Sequence, residues 1–276
     1  MSIKSMPVWK WLLLLIASIF LAFIMYGLAQ WPTDIAPDGW VRWTVSVAVS
    51  GVMVALYAVF VRWFEKQPAK DIPLGRLAGD TVKGFGIGIL FFLLVVGVML
   101  ASGLYRITGV GTDQPGAIVS AFFMFIMVAV GEEILFRGVL FRWIDEKWGF
   151  ITALIVSSLL FGAMHIAQPN ATWWSSLAIA IEAGLLLGAA YKWSGTLWFP
   201  IGIHWAWNFF QGNIFGFAVS GSDAGASLLQ STVSGPEILT GGPFGAEASI
   251  ITVILGSLLS AWFIYKAAGT VRRSLS

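Results

Sequence analysis

The sequence predicts an all-α membrane protein, a polytopic bundle of about eight transmembrane helices with both termini in the cytoplasm. Three observations predict it. Hydrophobic residues make up 58% of the chain and charged residues 11%, against roughly a quarter charged in ordinary soluble domains. The apolar residues gather into stretches long enough to cross ~30 Å of hydrocarbon. The basic residues fall almost entirely on alternate connecting segments, as the positive-inside rule asks of cytoplasmic loops.

In chain order the apolar stretches lie near 9–29, 41–64, 85–105, 117–141, 150–166, 172–191, 197–217 and 248–266. Each is expected to be helical because lipid offers no partner to an open backbone N–H or C=O. The first follows Lys4 and Lys10 and ends in "GLAQ", which also resembles a signal peptide with a small-residue cleavage site. Its apolar run is long for a signal core, so a retained helix is expected. The fourth opens with "AIVSAFFMFIMVAV", Ala117 to Val130, which carries no charge, and runs straight into "GEEILFRG", Gly131 to Gly138. The fifth is short. In the sixth, Gly184 and Gly188 form a small-xxx-small packing face beside Glu182. Residues 218–247 are rich in Gly and Ser, contain no Lys or Arg, and read as an extracytoplasmic loop. The whole chain, 1–276, reads as a single integral membrane domain.

Sidedness comes from the cations. Lys4, Lys10, Arg62, Lys66, Lys70, Arg76, Lys83, Arg142, Lys147, Lys192, Lys266, Arg272 and Arg273 fall on one side, Arg42 and Arg106 on the other, and Arg137 inside a span. The first side is therefore cytoplasmic. Trp31, Trp40, Trp43, Trp63, Trp148, Trp173, Trp193 and Trp198 sit at predicted span ends, where an interfacial aromatic belt belongs. The chain has no cysteine, which excludes disulfides and thiolate chemistry, and its net charge of +2 gives no reason to expect a nucleic-acid partner.

The ionisable residues inside spans are Glu132, Glu133, Arg137, His165, Glu182 and His204, which include both histidines of the protein. Such groups are costly in a bilayer and usually face a bundle interior or a cavity. On a helix, residues four apart share a face. Glu133 is thereby placed beside Arg137 as a neutral structural pair, while Glu132 is turned ~100° away without a counter-ion of its own. A carboxylate left so in a low-dielectric site is suited to general acid–base chemistry. "FGAMH" puts Phe161 and His165 on one face, and "HWAWN" does the same for His204 and Asn208, an imidazole and an amide able to donate to an oxyanion or hold a water. Counted from the cytoplasmic ends, Glu132, His165 and His204 lie at depths of about 15, 22 and 12 Å. Bringing them together therefore requires a fifth helix that starts below its apolar edge, or a fourth that bends near Gly131.

Taken together, Glu132-Glu133-x-x-x-Arg137, Phe161-x-x-x-His165 and His204-x-x-x-Asn208 resemble the signature of the CAAX protease and bacteriocin-processing (CPBP, or Abi) family of intramembrane proteases. The resemblance covers 117–211, the catalytic core, and includes "GTLWFPIGIHWAWN". It implies a glutamate-dependent endopeptidase, often classed as a metalloprotease, whose active site lies inside the membrane and opens to the cytosol. Glu132 would be the base that activates water, and His165 would help orient that water. His204 and Asn208 would stabilise the oxyanion or bind a second water, with Glu133 and Arg137 holding the site together. Glu132, His165 and His204 are also a donor set for zinc with an open position. The soluble HExxH arrangement is missing, and the residues leave open whether a metal is required. Phe161 is expected as a wall of the site. Glu182 stands outside the pattern and is expected either to bond a neighbouring helix or to line the cavity.

The expected partners are the lipid bilayer, of the plasma membrane, and a peptide or membrane-protein substrate with a signal-like or lipid-modified end. Nothing in the sequence specifies a prenyl group. Two other classes remain beside the peptidase. One is a non-catalytic scaffold or bacteriocin self-immunity protein on the same fold. The other is a proton-coupled transporter using Glu132, Glu182 and the histidines as a relay, against which stands the lack of a visible inverted repeat.

Overall fold

The computed structural model of the chain describes residues 3, 6–37, 39–223 and 225–275; Lys4, one of the expected cytoplasmic cations, lies outside them. Helices α1 (Val8–Ile35), α2 (Trp40–Phe64), α3 (Leu74–Ala101), α4 (Pro115–Trp148), α5 (Phe150–Ala167), α6 (Trp173–Ser194) and α8 (Ile250–Leu275) are each long and apolar enough to cross a bilayer. Between the last two, α7 comprises Trp198–Phe209 and a π-helical extension, Phe210–Ile214. The protein is thus an all-α polytopic membrane bundle.

Several span boundaries differ from the sequence reading, most of all in the third and fourth helices. The third helix begins at Leu74 rather than near 85, because its charged first turns are neutralised in place. Arg76 pairs with Asp80 at 2.9 Å, and Asp80 accepts from Thr196 Oγ1 at 2.8 Å. The same helix ends at Ala101, and Tyr105 opens a strand. The fourth helix does not stop at 141 but continues to Trp148, with π winding over Ile134–Phe141. A π segment admits an extra residue per turn and re-aims the residues beyond it, often at a functional site. The change in winding starts three residues beyond Gly131, the position at which the sequence predicts a bend.

Residues 218–247 are not irregular throughout. Strand β2 (Leu229–Val233) pairs antiparallel with β1 (Tyr105–Val110), with a bulge between Ile107 and Gly109. Both strands carry β-branched residues, which suit a pleated surface, and Tyr105 anchors the pair by donating to the Phe215 carbonyl at 2.5 Å. The two strands come after α3 and α7, so both lie at one end of the bundle. At the opposite end, Lys192 meets Asp145 at 2.5 Å and Arg76 Nη2 donates to the Ser194 carbonyl at 3.0 Å. The bundle therefore has a sheet end and a cation-rich end, in agreement with the charge count.

The expected tryptophan belt is only partly exposed. Trp31, Trp40, Trp63, Trp148 and Trp173 are open to the surroundings. Trp198 instead is buried and donates to the Pro73 carbonyl at 3.0 Å, while Trp193 packs on Phe199, Trp262 and Phe263. Trp43 donates to Ser120. These three are used as packing groups between helices.

The tightest helix pair is α3 on α7, and glycines permit it. A Cβ on Gly84 would fall on the Phe199 carbonyl, one on Gly88 on that of Ile203, and one on Gly202 on that of Thr81. Small residues at such crossings let backbones approach where lipid supplies no hydrophobic drive. Gly202→Val is expected to cost about 1–3 kcal/mol through overpacking and to lower the thermal midpoint in detergent. Gly97→Ala, at a position with open space around it, is expected to leave that midpoint unchanged.

Candidate active site

Four helices bring polar groups to one level of the bundle. Glu132 and Glu133 end the regular part of α4 and Arg137 lies in its π segment; His165 caps the α-helical part of α5; Glu182 is in the π turn Ala180–Gly184 of α6; His204 and Asn208 lie on α7. Three of these four helices are locally π-wound close to their site residues.

Glu133 is the hub. Its Oε1 accepts from Arg137 Nη1 at 2.9 Å and from His204 Nδ1 at 2.9 Å, and its side chain is fully buried. An ionised carboxylate only accepts, so His204 carries a proton on Nδ1 and turns Nε2 away from Glu133. That Nε2 stands 3.8 Å from Glu132 Oε2, too far for a direct hydrogen bond and close enough for a third polar atom to bridge them. Glu132 is 19% exposed, whereas Glu133 and Arg137 are at 0% and 1%. Glu132 is reachable and its neighbour is not.

Arg137 ties the hub to two more helices. Its Nη2 donates to the carbonyl of Gly184 at 3.1 Å and its guanidinium lies 4.8 Å from the centre of the Phe161 ring. The glycine face of α6 makes this approach possible, since Gly184 packs on Ser158 and Gly188 on Leu154 and Phe141. His165 Nδ1 is 2.7 Å from the Phe161 carbonyl, which can only accept. The proton is therefore on Nδ1, and the lone pair of Nε2 is available.

His165, Glu182, His204 and Asn208 line one small cavity, with Phe161 as part of its wall. Glu182 is 1% exposed, and its Oε2 has no hydrogen-bond partner among the described residues, so it lines the cavity rather than bonding a neighbour through that atom. Larger clefts exist, such as one of about 640 Å³ between α2, α3, α4 and α7, but their walls are almost wholly apolar. Chemistry, not size, locates the site.

Sequence reasoning missed Glu247. It ends the segment that reads as a surface loop, yet it lines the same cavity and is 3% exposed. It accepts from the Ser220 backbone and from Gln211 Nε2 at 3.1 Å, which ties that segment to α7. Burial pushes its carboxyl from 4.5 up to about 7, so near neutrality acid and carboxylate coexist there. A lone acidic residue in a Gly-rich stretch carries no signal that would have found it.

Residues 114–210, which hold all three motifs, match the family model described as type II CAAX prenyl endopeptidase, Rce1-like. This is the segment whose motifs resemble the CAAX protease and bacteriocin-processing (CPBP) family. Among curated relatives, the uncharacterized protein YpbD of Bacillus subtilis (strain 168) is 30% identical over 125 residues, 44% of this chain and 61% of YpbD. The putative membrane peptidase YdiL of the same organism is 25% identical over 157 residues, 51% of this chain and 62% of YdiL. The chain spans about three fifths of the length of these relatives. No solved structure matches.

Of the residues singled out in the sequence, Glu132, Glu133, Arg137 and His204 form one connected chain of charges, and His165, Asn208 and Glu182 share the cavity beside it. Glu132, His165 and His204 are not gathered as a three-donor set. Among the described residues no group of three His, Asp or Glu side chains is placed to hold a metal ion; His204 has one nitrogen on Glu133, and His165 has one on a carbonyl. Removing Arg137 would leave Glu133 buried without its counter-ion. Arg137→Met is therefore expected to destabilise the protein by about 3–5 kcal/mol, read by unfolding in detergent. Glu133→Gln added to it is expected to recover most of that loss.

Proposed function

We propose that the protein is a glutamate-dependent intramembrane endopeptidase of the plasma membrane, hydrolysing a peptide bond of a membrane-bound or membrane-associated substrate. One observation carries this reading: a reachable carboxylate, Glu132, faces an imidazole whose far nitrogen is fixed by a second, fully buried glutamate.

In this mechanism a water sits between Glu132 and His204 Nε2. Glu132 takes a proton from it as the new oxygen–carbon bond forms at the scissile carbonyl. The carbonyl π-electrons move onto oxygen, and the resulting oxyanion is met by the Nε2–H of a His204 ring protonated on both nitrogens and by the Asn208 amide N–H one turn further along α7. The Nδ1–H bond to Glu133 supports positive charge on the His204 ring, as an orienting carboxylate does in other histidine-dependent sites. When the tetrahedral intermediate collapses, the C–N bond breaks and the proton held by Glu132 passes to the departing amine. His165, with Nε2 unprotonated, accepts a hydrogen bond from the water or from a substrate N–H and so fixes its direction.

Zinc is the cofactor for which the sequence offers Glu132, His165 and His204. With those donors not gathered into one set, no step is assigned to a metal. The family description names a prenyl endopeptidase, and that substrate is not carried over to this chain.

Glu132→Gln keeps shape and removes the base. It is expected to lower turnover of a cleavable reporter peptide at least 100-fold, the scale of a lost general base, while leaving the unfolding midpoint in detergent within a few degrees of wild type. Equal turnover by the variant would eliminate the assignment.

A further inference from the structure

The resemblance implies an active site open to the cytosol. Resting on the peptidase reading, we infer instead that the cavity opens to the extracytoplasmic side, through a cleft between the outer halves of α4 and α5, and takes a peptide segment presented at that face of the membrane.

The walls of the cavity fix its direction. Ser220 and Glu247 come from the segment joining α7 to α8, the same segment that supplies β2. His165 lies in the last turn of α5, at the sheet end. The cavity is therefore roofed by the sheet end of the bundle. By segment order in the sequence, thirteen of the sixteen Lys and Arg residues fall on the side of the opposite end, and only Arg42 and Arg106 on this side, which makes the sheet end extracytoplasmic.

The cation-rich end is sealed. Beneath the cavity lie Glu133 and Arg137, then Phe141 and Leu186, all at or below 1% exposed. Below them a polar stratum closes the bundle: Arg142 forks onto both Glu65 oxygens at 2.6 Å, and Tyr57 donates to Asp71 at 2.5 Å. A peptide approaching from that end would have to break both layers.

The opposite approach is less closely packed. Helix α5 packs along the 134–148 part of α4, with no comparable packing on 115–133 among the described residues. Phe136 and Phe161 touch at 4.9 Å and make the floor of the resulting cleft. Glu132 and His165 stand about one turn further toward the sheet end, each on its own helix, and so face the cleft from its two sides. Near that mouth Met164 and Ile166 are exposed at 46% and 40%, an apolar rim suited to a segment arriving from the outer leaflet.

The absence of cysteine permits a direct test by single-cysteine labelling in intact cells with a membrane-impermeant charged maleimide. Asn208→Cys and Ser220→Cys place thiols in the cavity, Ser222→Cys marks the sheet end, and Lys70→Cys marks the cation-rich end. The inference expects both cavity thiols to be labelled from outside along with the Ser222→Cys control, and Lys70→Cys only after permeabilisation. Two cavity reporters guard against one failing to fold. Labelling of the cavity thiols only after permeabilisation, with Lys70→Cys, would overturn the inference. Labelling requires no catalysis, so this outcome is separate from the Glu132→Gln turnover test, whose failure would remove the peptidase reading and leave the sidedness standing.

Discussion

The site depends on one oxygen atom. Glu133 Oε1 accepts from a guanidinium on its own helix and from an imidazole on α7, at a place where acceptor and donors alike are buried. Burying three ionisable groups is costly unless they are paired and directed. Here the pairing sets the rotation of α4 and the level of α7 together, because a shift of either by one residue would leave a charge alone. Arg137 extends the constraint to α6 through the Gly184 carbonyl and to α5 through the Phe161 ring. Four helices are thereby held around Glu132, which takes no part in holding them.

This arrangement separates support from chemistry. The buried members are fixed by mutual charge, and the exposed member keeps one face free, as a general base requires. The π segments serve the same end. They occur in α4, α6 and α7 next to the groups that must be aimed, and a change of winding re-aims a side chain without ending a helix that lipid would not allow to end. The cation-rich end adds a second closed polar layer, with Glu65 and Asp71 as its acceptors.

Much of this is legible in the sequence. The eight apolar stretches, the three motifs at four-residue spacing and the separation of Glu132 from Glu133 all come from helix geometry and the cost of charge in lipid. What spacing within a helix does not reveal is contact between helices. Spacing makes Glu133 the partner of Arg137 alone, and its bond to His204, seventy-one positions away in the chain, has no local signature. Glu65 and Asp71 look like solvated loop residues because their basic and tyrosine partners come from other helices. Glu247 is hidden in a Gly-rich segment whose course is set by β1 and by Gln211. Strand β1 is too short to stand out between two spans, and π winding has no composition of its own.

The central claim is that Glu133 holds the Nδ1 proton of His204 and thereby presents Nε2 to Glu132. With only two histidines in the chain, nitrogen NMR of protein labelled with 15N-histidine reads this without crowding. The structure predicts a proton on Nδ1 of both rings, and a shift of the His204 resonances alone when Glu133 is changed to Gln. An unprotonated Nδ1 on His204 in the wild type, or a spectrum that Glu133→Gln leaves unmoved, would contradict it.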